Sequence, residues 1–118
     1  MPQARVFGFH IRQDSLLKEG IRRNLGRSNS EWARLLLAQK TANVMFVVPA
    51  GRDIGIRAEI HMIKRVRRNP GPGGHLGWFV ALASTDPENP FDKPVDEKVE
   101  AFRELVGLKR QPQWAILA

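Results

Sequence analysis

Residues 54–67 read IGIRAEIHMIKRVR, residues 69–77 read NPGPGGHLG, and residues 78–83 read WFVALA. In the first stretch Ile54, Ile56, Ala58, Ile60, Met62 and Val66 share one parity, interrupted only by Lys64. The other parity carries Arg57, Glu59, His61, Ile63, Arg65 and Arg67. A period of two sends successive side chains to opposite faces of a strand, so one face is expected in the core. The other is a polar strip that turns basic toward its end. Residues 78–83 are apolar throughout, as in a strand buried on both faces. The Gly/Pro-rich segment between them holds too many breakers for a strand, and the pair is expected to form a long hairpin around it.

Upstream, residues 4–12 (ARVFGFHIR) alternate. Phe7, Phe9 and Ile11 fall on one side of this expected half-buried strand and Gly8, His10 and Arg12 on the other. Asp14 is placed to cap a helix over 15–25, where Leu17, Ile21 and Leu25 recur every four residues, and Gly26 follows as a stop. Ser28 and Glu31 form a capping-box pair for a second helix over about 29–41. Trp32, Leu35, Leu36 and Gln39 are expected on its inner side, with Arg34 and Lys40 facing out. The short apolar run 43–48 (NVMFVV) reads as a buried strand, and Pro49, Gly51 and Asp53 as a turn after it.

Downstream, residues 84–94 contain three prolines and form an extended connection. A helix over 95–107 follows, with Val95, Val99, Phe102 and Val106 inward, Asp96 and Glu97 in its first turn, and Gly107 at its end. Residues 113–118 supply a short last strand. The expected fold is α+β in one domain, 1–118. An antiparallel sheet of four to five strands carries a helical hairpin and a C-terminal helix, in the order β-α-α-β-β-β-α-β.

The net charge is +7, and it is unevenly placed. Residues 1–68 hold 14 Lys and Arg against 5 Asp and Glu, whereas residues 69–118 hold 5 against 7. Such a split suggests a basic working face. Most of these cations are Arg, which grips phosphate bidentately, so nucleic acid is the expected partner, with DNA and RNA undistinguished. An acidic protein is the alternative partner, and a homodimer is open through the acidic helix 95–107. There is no cysteine, which fits a reducing compartment. No apolar run is long enough to span a membrane, and no secretory-signal pattern opens the chain, so a cytoplasmic protein is expected.

Residues 21–36 (IRRNLGRSNSEWARLL) resemble the second half of a helix-turn-helix. That resemblance places Arg27, Ser28, Asn29 and Ser30 at the start of a helix that enters a DNA groove. Arg22 stands where the motif packs a small apolar residue. Residues 64–77 (KRVRRNPGPGGHLG) locally resemble the arm tip of the bacterial HU and IHF architectural proteins, with Arg68, Asn69, Pro70 and Gly73 matching. In those proteins the arm lies in the minor groove. The expected contact residues are therefore Arg22, Arg23 and Arg27 on the hairpin of helices, and Lys64, Arg65, Arg67 and Arg68 on the arm.

The strand order also resembles that of the RelE-type messenger-RNA-cleaving toxins. By that analogy a metal-independent ribonuclease would use Arg57, His61 and Arg65, which alternate on one strand face. No other catalytic set is expected, and no cofactor or metal. His10, His61 and His75 lack ligand spacing, the PGPGG segment lacks the lysine and helix of a phosphate loop, and no Gly-x-Ser-x-Gly occurs. Tyrosine is absent, and Phe7 and Phe9 read as core rather than as a stacking platform.

Overall fold

The structure is a computed structural model that describes residues 4–62, 66–67 and 77–117. Strand β1 (Arg5–Arg12) leads directly into helix α1 (Gln13–Arg22), which is followed by α2 (Glu31–Ala42). Strands β2 (Glu59–Met62), β3 (Val66–Arg67) and β4 (Gly77–Ser84) come next, then α3 (Asp96–Val106) and β5 (Gln113–Leu117). The fold is α+β with an antiparallel sheet, as expected, and the order matches in outline: the expected strand 43–48 is helical, and the expected strand 54–67 divides into β2 and β3.

The sheet order is β2-β4-β1-β5-β3. β1 lies at its centre, paired antiparallel to β4 over seven residues and to β5 over four. Strands β2 and β3 are four residues apart at their nearest ends, yet they pair with β4 and β5 on opposite edges. Four residues reach at most about 14 Å. Flat edges would stand four strand spacings, about 19 Å, apart. The sheet therefore curls until its two edges approach each other.

Each face of this curled sheet buries its own cluster. On the first, Phe7, Phe9 and Ile11 of β1 and Trp78, Val80 and Leu82 of β4 meet the helices through Leu16, Ala42, Phe46, Val99 and Phe102. The inward parity expected in 4–12 is thus realised, but β1 is not half-buried, because its other face is covered as well. The second face encloses Val6, Phe79, Ala81 and Ala115, with Phe91 and Leu117 packed against them. Gly8 also lies on the second face, at a register shift between β1 and β4. A Cβ there would stand 1.8 Å from the Val80 carbonyl oxygen, so no other residue fits without moving backbone. Where β1 becomes α1, the buried Gln13 side chain accepts a hydrogen bond from Trp78 Nε1 at 3.0 Å.

Several expectations need correction. Residues 43–48 are not a strand: α2 runs on through π-helical turns at Asn43–Val47 and Ala50–Ile54. Pro49 sits between these turns, and it has no N–H for an α-type bond and crowds the carbonyl before it. Widened turns on both sides accommodate it. Ala38, Ala42, Phe46 and Ala50 are all essentially fully buried, so a four-residue apolar row carries α2 onward. An α-helix drifts past a four-residue row, and π turns, which take in more residues, turn it back.

The inner face of α2 is Leu37, Ala38, Thr41 and Ala42, while Trp32 is 69% exposed and Leu36 49%. The indole lies on the side expected to be core. Helix α1 buries Gln13, Leu16 and Gly20; of the expected Leu17–Ile21–Leu25 row, Leu17 packs only partly against the core and Ile21 is half-exposed. The reason is packing: Gly20 sits so close to α2 that an added Cβ would meet Thr41 Oγ1 at 2.3 Å. Glycine, not leucine, marks the contact line. The residue preceding α1 is Arg12 rather than Asp14, and α2 is capped by Ser30, whose Oγ accepts from Ala33 N–H at 3.0 Å. The helix ends before Gly26, with Asn24 in the left-handed region at φ 57°. The expected long strand begins only at Glu59, although Ile56 and Ala58 ahead of it are buried. In α3, Val99 and Phe102 are buried as expected, and Val95 is 64% exposed because it precedes the first turn. Gly107, at φ +75°, ends that helix.

Candidate nucleic-acid interface

The turn between α1 and α2 is built from residues whose side chains the core does not need. Arg23 closes α1, and Leu25 N–H returns to Gly20 O at 2.9 Å, so the chain leaves the helix in a compact loop. Residues 26–30 are all exposed and end at the Ser30 cap. Arg22, Arg23 and Arg27, three of the expected contact residues, are all exposed in or beside this turn.

Glu19 modifies this cluster, and the sequence reading left it out. Its carboxylate accepts from Arg22 Nε and Nη2 and from Arg23 Nε, the last at 2.8 Å. The hydrogen bonds of Arg22 and then Arg23 hold the Glu19 carboxyl down at about 2. Arg22 and Arg23 thus share one anion, whereas Arg27 has no carboxylate within ion-pair distance among the described residues. The spacing could have revealed this arrangement, because Glu19 stands three and four residues before the two arginines.

Further along α2, Arg34 and Lys40 are exposed as expected. Between Glu19 and Asp53 the chain carries six Lys and Arg and a single acid, Glu31. Trp32 and Leu36 stand one turn apart on the outer side. Beyond them Leu36, Gln39, Lys40, Asn43 and Val44 line a shallow groove.

Of the second basic segment, Lys64, Arg65 and Arg68 lie outside the described residues, as does most of the expected 69–77 tip. Arg67 belongs to β3, its backbone paired with Ile116. The described residues just before the tip thus pair with β5 and not with β4, so the expected long hairpin holds only for β2 and β4.

The polar strip of β2 forms a separate cluster. Arg57 Nη2 donates to Glu59 Oε1 at 2.6 Å and to Asn89 Oδ1, and its guanidinium lies 4.5 Å from the centre of the Phe91 ring. Asn89 Nδ2 donates to both Glu59 oxygens, at 2.7 and 2.8 Å. His61 Nε2 is 3.6 Å from Glu59 Oε2. Burial pushes the Glu59 carboxyl up. The hydrogen bonds of Asn89 and Arg57, with the charges of Arg57 and His61, outweigh it and hold the group below its ordinary value. His61 pairs in register with Phe79 and Phe79 with His10, so both histidines flank that ring on the second sheet face. Arg57 and His61 therefore do come together, through Glu59, while Arg65 lies outside the described residues.

Among the described residues no three His, Cys, Asp or Glu side chains gather as a metal site requires, and no helix is long and apolar enough to cross a membrane. Comparison with protein-family models, with curated proteins and with solved structures finds no match.

Proposed function

We propose that this chain binds nucleic acid, with the α1–α2 turn as its phosphate-contacting end. The observation that carries the reading is the exposure of Arg22, Arg23 and Arg27 in or beside that turn, offset by the single carboxylate of Glu19. Guanidinium groups held near one another on ordered backbone grip phosphates bidentately, and binding releases counterions from the nucleic acid. Lys64, Arg65, Arg67 and Arg68 belong to the same proposal as a second set of phosphate contacts. Salt titration against DNA and RNA tests it. Affinity is expected to fall steeply with ionic strength, and Arg27→Ala to weaken binding about three- to tenfold. Absent or salt-insensitive affinity for both polymers at low ionic strength would refute the reading, and a stable complex with an acidic protein would then replace it.

One contact favours a second reading, metal-independent RNA cleavage by Arg57, His61 and Arg65. The Glu59 carboxylate, held by Asn89 and Arg57, lies beside His61 and can orient its imidazole for proton transfer. RNA cleavage in EDTA, lost in His61→Ala, is the expected result. Equal rates in the variant would remove it.

A further inference from the structure

We propose that the outer face of α2 is a platform for single-stranded nucleic acid, with Trp32 stacking on an unpaired base. The proposal rests on the nucleic-acid reading above and names the form of polymer that reading leaves open.

The platform begins with an indole that the fold does not use. Trp32 is 69% exposed and Leu36, one turn on, is 49% exposed, on the side of α2 away from Leu37, Ala38, Thr41 and Ala42. The row continues past the groove at Gln39, Lys40 and Asn43 to Val48, itself 49% exposed. An exposed indole and leucine one turn apart, followed by polar and charged side chains along the same face, offer a mixed surface for a partner.

Charge decides what binds there. Lys40 interrupts the strip and has no ion-pair partner among the described residues, and the chain as a whole carries a net charge of +7. The occupant must therefore offer both flat apolar surface and negative charge. A second copy docked by a two-fold axis through the middle of the strip would set Lys40 against Lys40, with no acid on the face to offset them. A polynucleotide meets both requirements: every base has a π-face, and every link carries a phosphate.

Geometry separates single strands from duplexes. In a duplex the base faces are stacked on one another, and a protein meets only their edges in the grooves. An indole projecting from a helix would have to unstack a base pair, at a cost of a few kcal/mol. A single strand presents its bases already free to stack on aromatic side chains. Trp32 and Leu36 are about 6 Å apart along the helix axis, against 3.4 Å between stacked nucleotides. That spacing suits a strand drawn out of its stack, with one base on the indole and the next over Leu36 toward the groove. The Gln39 and Asn43 amides stand beside that second position, and Asn43 Nδ2 is already anchored on Gln39 O at 3.0 Å.

The test compares a 20-nucleotide single strand with the duplex of the same sequence, as DNA and as RNA, at one low ionic strength. The single strand is expected to bind at least tenfold tighter. Trp32→Ala is expected to reduce single-strand affinity about 10- to 100-fold while leaving duplex affinity within about twofold. Trp32→Phe restores most of the loss. Because Trp32 is exposed, its thermal unfolding midpoint serves as the folding control. In a Trp114→Phe background, where the other indole is the buried Trp78, single strands quench Trp32 fluorescence. Equal affinity for the two forms, or an equal loss on both in Trp32→Ala, overturns the platform and leaves the nucleic-acid reading standing. Binding to neither form overturns both. A concentration-dependent dimer abolished by Trp32→Ala, with no strand preference, assigns the face to a second copy and overturns the platform.

Discussion

Gly8 is the residue at which sequence identity and backbone geometry are most tightly bound. Its would-be Cβ meets Val80 O at 1.8 Å and Val80 C at 2.9 Å, both backbone atoms that no rotamer change can move. Gly8→Ala is expected to cost about 3 kcal/mol or more in urea unfolding; unchanged stability would mean that β1 and β4 do not approach as described. Glu19 exerts its effect through charge. Its folded value, about 2, lies below the ordinary 4.5, so the bridge to Arg22 and Arg23 is complete above 4.5 and is lost only as pH falls through about 2. Glu19→Gln removes the anion at neutral pH and is expected to tighten nucleic-acid binding about two- to fivefold, with a steeper salt dependence. Weaker binding would show that Glu19 orients the arginines rather than neutralising them. At Glu59 the sign is the same. Its folded value is lowered, so the stabilisation it draws from Asn89 is full at neutral pH and fades as pH drops below 4.5 and through the lower folded value. The stability difference between wild type and Asn89→Ala, followed by denaturant unfolding from pH 7 to pH 3, should shrink accordingly. A difference independent of pH would detach Asn89 from the carboxylate's charge.

Among the elements, the continuation of α2 shows most clearly how a local pattern misleads. Asn-Val-Met-Phe-Val-Val is a short apolar run, and such a run by itself does not separate a buried strand from a buried helix. The distinguishing signal lies outside it, in the four-residue row Ala38, Ala42, Phe46 and Ala50. Phe46 is 2% exposed and Val48 49%. Phe46→Ala is accordingly expected to cost about 3–5 kcal/mol, and Val48→Ala to stay within about 0.5 kcal/mol. A strand buried on both faces would make both substitutions costly, so thermal denaturation of the pair distinguishes the two. In α1 and in the first turns of α2 the apolar spacing was legible but its orientation was not. Leu17, Ile21 and Leu25 obey a helical period, yet close contact at Gly20 turned the helix so that Leu16 faces inward. The same competition for a limited inner face left Trp32 outside.

Across the whole molecule, the charge imbalance read from the chain has a concrete anchor in the α1–α2 turn. With about four phosphates neutralised, affinity is expected to fall about 100-fold between 50 and 200 mM salt. A much shallower slope would point to binding dominated by Trp32 and its apolar neighbours. The second sheet face, where His61, Glu59 and Asn89 gather beside Phe79, owes its existence to curvature. Alternation in 54–67 correctly put Arg57, Glu59 and His61 on one side. The partners of that side, Asn89 and Phe91, come from a loop about thirty residues away and leave no periodic trace.

Periodicity, breakers and composition determined the α+β class, the inward parity of β1, the burial of β4 on both faces, and the basic bias of the first part of the chain. These are local properties, settled by which face of a strand or helix a residue occupies. Only the tertiary structure decided that β2 and β3 sit on opposite edges of a curled sheet, that 43–54 prolongs a helix, and that Glu19 restrains two of the three arginines in or beside the α1–α2 turn. It also decided which side of α2 meets the core. The period of a helix defines its stripe but not the stripe's partner, and there the glycine at position 20 outweighed the tryptophan at position 32.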